Sequence, residues 1–133
     1  MTGAIVDTSV WIDLFNGNDS KESLALQNLI STGNVYLCPI IYQEILQGVR
    51  DDSKFLDIKN ILGFYNMVRA DFPILQDTAI DLYRSLRKKG ITIRKANDCL
   101  IAAHGLLFNL PILHKDKDFI QICANTAVIS YLQ

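Results

Sequence analysis

Proline and glycine are scarce in this chain, three and seven of 133 residues, and nowhere do they gather with serine into a linker. With no internal repeat and no low-complexity stretch, this excludes a repeat protein or a tethered array, and one domain over residues 1–133 is expected. Cysteine is also sparse. Cys38, Cys99 and Cys123 are odd in number, far apart and set in apolar surroundings, with no C-x-x-C pair and no His/Cys spacing for a metal. That excludes a disulfide framework and predicts buried free thiols in a reducing cytoplasm. Aromatic residues make up only 9%, and Trp11, Phe15, Phe108 and Phe119 are spaced for packing rather than as a platform for stacked bases. Neither sign of charge dominates: thirteen basic and fourteen acidic residues leave a net charge of −1, which gives no bulk reason to bind nucleic acid. The amino terminus lacks a basic region followed by an apolar core, and no apolar run approaches a membrane span. An intracellular protein without a membrane segment is expected.

What is present is a globular composition, half apolar and one-fifth charged, long enough to bury roughly two-thirds of the unfolded surface. Strands and helices alternate. Residues 3–6 read as a strand and 9–15 as a helix stopped by Asn16-Gly17. Asp19-Ser20-Lys21-Glu22 offers a cap for a helix to Ile30, after which Thr32-Gly33-Asn34 turns the chain. Val35–Cys38 is a second strand, and Pro39 suits the first turn of a helix to Val49. Residues 53–67 read as helical along Phe55, Ile58, Ile61, Leu62 and Tyr65. One short strand is placed within 68–75. Asp77 is expected to cap a helix to Lys89, with Ile80, Tyr83, Leu86 and Arg87 at helical spacing, and Gly90 to end it. Asn97 and Asp98 open a helix to Phe108. A strand over 110–114, a short helix over 117–123 and a last strand over 127–131 complete an α/β layered fold with a mostly parallel sheet.

Acids recur where such a fold binds ligands. Asp7 ends the first strand, and in open α/β sheets the carboxyl ends of strands face the binding crevice. Capping would explain Asp7 alone, but Asp7, Thr8 and Ser9 stand in a row and one cap is enough. Glu44 projects between Ile40 and Ile41 on the arc that also holds Ile45, Gly48 and Val49, so it is expected on the buried side of its helix. A buried acid needs an arginine, a proton or a metal. Asp98 begins a helix whose dipole would keep it ionised. Asp116 and Asp118 follow the strand 110–114, where a Lys/Asp alternation also suits a solvated turn. Gathered together, these carboxylates would form an oxygen-only site for Mg²⁺ or Mn²⁺, with compensating cations keeping them ionised.

Arg84, Arg87, Lys88, Lys89, Arg94 and Lys95 place six of the thirteen basic residues within twelve positions, either a phosphate-facing patch or a solvated helix face. His114 could polarise a substrate beside Asp116, although a strand-end histidine satisfied by backbone explains it as well. His104, in an apolar helix, reads as a core histidine.

Four ordered segments carry a family resemblance. They are Ile5-Val6-Asp7-Thr8-Ser9-Val10-Trp11-Ile12-Asp13, Cys38-Pro39-Ile40-Ile41-Tyr42-Gln43-Glu44-Ile45-Leu46-Gln47-Gly48, Asn97-Asp98-Cys99-Leu100-Ile101-Ala102-Ala103-His104 and Leu113-His114-Lys115-Asp116-Lys117-Asp118-Phe119. In this order and spacing the chain resembles the PIN-domain ribonucleases, specifically the toxins of VapBC-type toxin–antitoxin modules. The resemblance implies a three-layer α/β/α domain and an acidic quartet of Asp7, Glu44, Asp98 and Asp116 holding Mg²⁺ or Mn²⁺. It further implies Asp118 as a fifth acid and Ser9 as the hydroxyl supporting Asp7. Metal-dependent RNA cleavage leaving 5′-phosphate and 3′-hydroxyl ends, homodimerisation, and inhibition by a VapB-type antitoxin over the active site are implied as well. The six basic residues are then the expected RNA contacts.

Two other readings stay open on the residues alone. An acid-pocket phosphatase would want a second aspartate two residues after the first, where this chain has Ser9, and the paired acids of a receiver domain are not evident. A non-catalytic interaction module would use the acids only as caps and ion pairs.

Overall fold

The computed structural model describes residues 3–132. In chain order the elements are β1 (Ala4–Val6), α1 (Thr8–Phe15), α2 (Lys21–Thr32), β2 (Val35–Leu37), α3 (Pro39–Gly48), α4 (Asp52–Leu62), β3 (Asn66–Met67), α5 (Phe72–Lys88), α6 (Ala96–Phe108), β4 (Ile112–Leu113) and α7 (Lys117–Asn125). Every strand pairing is parallel, in the order β3-β2-β1-β4, with helices flanking the sheet in a three-layer α/β/α arrangement. The chain steps outward from β1 through β2 to β3 and then returns to pair β4 with the other side of β1. That reversal opens a crevice at the carboxyl ends of β1 and β4, where such sheets bind ligands. Among the described residues no helix is long and apolar enough to cross a membrane.

The central strand is the most apolar because helices cover both its faces: Ala4, Ile5 and Val6 are fully buried, as are Ile112 and Leu113 beside them. Trp11 is fully buried too, its indole N–H donating to the Val6 carbonyl at 3.2 Å. Gly33 ends α2 in the left-handed conformation at φ 73°, as its place in the Thr-Gly-Asn turn predicts. Ser20 caps α2, its box completed by Ser23.

Several expected boundaries move. The helix over 53–67 ends at Leu62, where Gly63 caps it, so that 66–67 can pair as β3 with Tyr36 and Leu37 of β2. The short strand therefore precedes 68–75 instead of lying within it. α5 begins at Phe72, because Pro73 fits a first helical turn, which leaves Asp77 an exposed residue inside the helix rather than its cap. Its buried stripe is Leu75, Ala79, Leu82 and Leu86, and Ile80 faces solvent. The last strand shrinks to one parallel bridge, Ile112 to Ser130. All three thiols are free, with Cys38 and Cys99 buried and Cys123 only half-buried on amphipathic α7. Phe15 and Phe108 are 36% and 37% exposed, unlike Trp11 and Phe119, which pack fully.

Candidate metal centre

Asp7 leaves β1 with its amide donating to the Leu113 carbonyl of β4 at 2.9 Å, which sets it in the crevice between these strands. It caps α1 and is buried; Ser9 donates to its Oδ2 through the hydroxyl at 2.7 Å and the amide at 3.3 Å. Burial pushes its pKa up, with the Glu44 carboxylate adding to the rise and the Ser9 hydrogen bonds opposing it. The hydroxyls are not surplus. Ser9 is spent on Asp7, and Thr8 donates to Glu44 Oε1 at 2.7 Å.

Glu44 is half-buried rather than enclosed, because the buried side of α3 is Ile41, Ile45 and Leu46 while Ile40 and Gly48 turn partly or wholly outward. No arginine pairs with it among the described residues; its partners are Thr8 and the Asn97 amide, 3.4 Å from Oε2. Asp98 sits in the first turn of α6, one turn in from Lys95, and is 4% exposed. Its Oδ2 is buried without a hydrogen-bond partner. Burial first, and then the charges of Asp7, Asp116 and Asp118, raise its carboxyl to about 7 against the opposing charge of Lys95. Its place at the helix start favours the ionised form, and without a cation burial and the neighbouring acids work against that form.

Asp116 caps α7 by accepting from the Asp118 amide at 2.9 Å, and it accepts from Lys95 Nζ at 2.9 Å. Burial works to raise its pKa, but these two hydrogen bonds and the charges of Lys95 and Arg94 together outweigh it and hold the carboxyl below its usual value. Asp118 is buried, accepting from the Arg94 amide at 3.2 Å with Arg94 Nε 3.6 Å away. Asp98, Asp116 and Asp118 each offer an oxygen within 4.8 Å of the others. Asp7 and Glu44 stand outside that tight group, Asp7 coupled to it through the charge of Asp98 and Glu44 through Asp7. An all-oxygen donor set with one orphaned buried carboxylate oxygen fits a hard divalent cation, which would satisfy that oxygen and offset the repulsion.

The basic residues divide. Arg94 and Lys95 hold the acids, Lys89 Nζ donates to the Asn125 carbonyl at 2.6 Å, and Arg87 lies 5.9 Å from the Tyr83 ring centre. Arg84 and Lys88 are exposed on the last turns of α5. His104 is a core residue, its Nδ1 2.9 Å from the Leu100 carbonyl. His114 meets the Ser130 hydroxyl through Nε2 at 3.2 Å and stacks on Phe119. It lines a groove of about 720 Å³ that none of the five acids borders.

Sequence reasoning missed the ties among these side chains. Asp13 is buried and bound by Lys115, 102 positions away, and by the Ser20 hydroxyl at 3.0 Å. The Arg94-Lys95 to Asp116/Asp118 pairing and the Thr8–Glu44–Asn97 chain likewise join distant segments, and no local spacing signals them.

The chain is similar to known proteins in sequence and in fold. Ribonuclease VapC11 of Mycobacterium tuberculosis is 32% identical over 117 residues, covering 86% of this chain and 87% of that protein. The structure of VapBC2 from Rickettsia felis, bound to a DNA fragment from its promoter, superposes with a TM-score of 0.75 at 18% identity, covering 96% of each chain. A toxin–antitoxin complex from Klebsiella pneumoniae gives 0.71 at 20% identity over 98% of this chain and 99% of that one; these two likenesses establish the fold. The PIN domain profile matches residues 4–125, and the chain belongs to the PIN-domain family.

Proposed function

We propose that this protein is a divalent-metal-dependent endoribonuclease, the toxin of a VapBC-type module, restrained by a VapB-type antitoxin lying over its acids. The observation that carries the reading is the Asp98 carboxylate, buried with Oδ2 unpartnered and grouped with Asp116 and Asp118. The kinship to a ribonuclease over most of the chain supports RNA as substrate. Asp7, Glu44, Asp98 and Asp116 are the proposed ligands of Mg²⁺ or Mn²⁺, with Asp118 the fifth acid.

A divalent ion held by these acids would supply the Lewis acidity that makes water a better nucleophile and polarises a phosphate. The chain's own residues arrange the rest. Ser9 orients Asp7, while Thr8 and Asn97 hold Glu44 toward the crevice from two other elements. The Arg94 amide fixes Asp118. Because Arg94 and Lys95 are engaged by acids, the proposed RNA backbone contacts fall first on Arg84, Arg87, Lys88 and Lys89 of α5 and its end.

The test is cleavage of total RNA by antitoxin-free protein with Mg²⁺ or Mn²⁺, beside EDTA and Asp98→Asn controls. Cleavage that disappears in both controls, yields 5′-phosphate ends and stops on adding antitoxin is the expected result. Full activity of Asp7→Asn and Asp98→Asn proteins would remove the carboxylates from the mechanism and favour an interaction module.

A further inference from the structure

One positive charge within the acid cluster has no part in the chemistry just described. Lys95 precedes α6, and its Nζ donates to Asp116 Oδ2 at 2.9 Å while interacting electrostatically with Asp98 and Asp7. Its neighbour Arg94 lies against Asp118, the other acid of the pair two residues apart. The two contacts differ in kind. Arg94 holds Asp118 partly through its backbone amide, which cannot leave without unfolding the segment. Lys95 makes its contact with the tip of a long side chain that is 58% exposed. An ion pair of that exposure is weak and screened by salt, and the lysine stem has solvent to swing into. Ammonium and divalent ion also answer the same need, since either offsets repulsion among Asp98, Asp116 and Asp118.

We propose that Lys95 is the built-in counter-cation of the metal-free site, its ammonium occupying Asp116 until a divalent ion displaces it. The inference rests on the metal-site reading above. In the metal-free protein Lys95 steadies the crowded acids. When metal arrives, the side chain must give up Asp116, so the residue sets the concentration at which the site fills. Lys95 is thereby a positioning residue for metal capture and not an RNA phosphate contact of the resting protein. Removing its charge should strengthen metal binding and weaken the metal-free fold, a pair of effects that neither a phosphate contact nor a plain structural ion pair produces.

The experiment is calorimetric titration of the full chain with Mn²⁺ at pH 8, where protons compete little for the acids, together with thermal melts in EDTA. Lys95→Met is expected to bind Mn²⁺ about two- to fivefold more tightly than wild type, the range open to an exposed ion pair. It should also melt at a lower temperature in EDTA and show a larger rise on adding Mn²⁺. Lys95→Gln should follow Lys95→Met, and Lys95→Arg should stay near wild type. Unchanged or weaker Mn²⁺ binding by both neutral variants, with wild-type binding intact, overturns the proposal and leaves the metal site standing. Absence of Mn²⁺ binding by wild type overturns both.

Discussion

A carboxylate buried with one oxygen lacking a donor resists ionisation, and at Asp98 burial and three neighbouring acids raise the pKa to about 7. The consequence for stability has a definite sign. An unfolded aspartate ionises near pH 4, so as pH rises from there to about 7 the unfolded state gains a favourable ionisation that the folded state lacks. The metal-free protein therefore loses stability through Asp98 across that window, on the order of 4 kcal/mol in full. In EDTA, Asp98→Asn should gain melting temperature over wild type between pH 5 and pH 7 and keep a constant lead above; a lead independent of pH would contradict the assignment. Saturating Mn²⁺ should erase that lead, because only the wild-type site gains from the ion. Ser9 acts on the first aspartate in the opposite sense, its hydrogen bonds favouring the ionised form of Asp7. Ser9→Ala should cost about 1–3 kcal/mol, measured by urea unfolding at pH 7, and weaken Mn²⁺ binding as well. At this scale the candidate acids were legible from sequence, four by standing at an element end and Glu44 by falling on the apolar arc of α3. Their partners were not, because Thr8 with Glu44 and Lys95 with Asp116 meet across 36 and 21 positions.

Elements decide whether those side chains converge. α6 carries Asp98 and packs on β4, which leads to Asp116, and the contact is close at Gly105. A Cβ there would lie 2.9 Å from both Ile112 Cδ1 and the Leu110 carbonyl, and the carbonyl cannot yield as a side-chain tip can. Gly105→Ala should cost about 1–3 kcal/mol by overpacking and, by prising α6 from β4, should loosen Mn²⁺ binding too. A melt indistinguishable from wild type would show that the helix shifts freely. Arg84 and Lys88 share one face of α5 at i and i+4, exposed and in no ion pair among the described residues. Replacing both with alanine should flatten the salt dependence of RNA binding by about 1.4 in the log–log slope, the value for two single-strand phosphate contacts. An unchanged slope would move the RNA path elsewhere. Element types followed from periodicity and caps, as at α2 and α3. The misplaced ones, β3 and the carboxyl-terminal strand, are two residues and a single bridge, too short for any alternation to register.

At the scale of the whole molecule, the metal links folding to function. A ligand that binds only the folded state stabilises it by RT ln(1 + [L]/Kd), about 2.7 kcal/mol at a hundredfold excess over Kd. For a chain of this size that is a rise in melting temperature on the order of 10 °C. Mn²⁺ should produce it in wild type and EDTA should reverse it, whereas Asp7→Asn and Asp98→Asn should respond weakly; equal shifts in all three proteins would place the ion away from the acids. The parallel α/β fold was determined by the sequence itself, because apolar strands, amphipathic helices and their stop signals are local properties written within a few residues. The candidate acids were local features too: Asp7, Asp98, Asp116 and Asp118 stand where a strand ends or a helix begins, and Glu44 breaks the apolar arc of its helix. Only the tertiary structure decided their environment. β4 returning to β1 brings Asp116 and Asp118 to Asp98, and the same packing that buries Asp98 leaves its oxygen unpartnered and sets Lys95 on Asp116. Burial, repulsion and pairing depend on distances through space between segments far apart in the chain, and no local pattern encodes those distances.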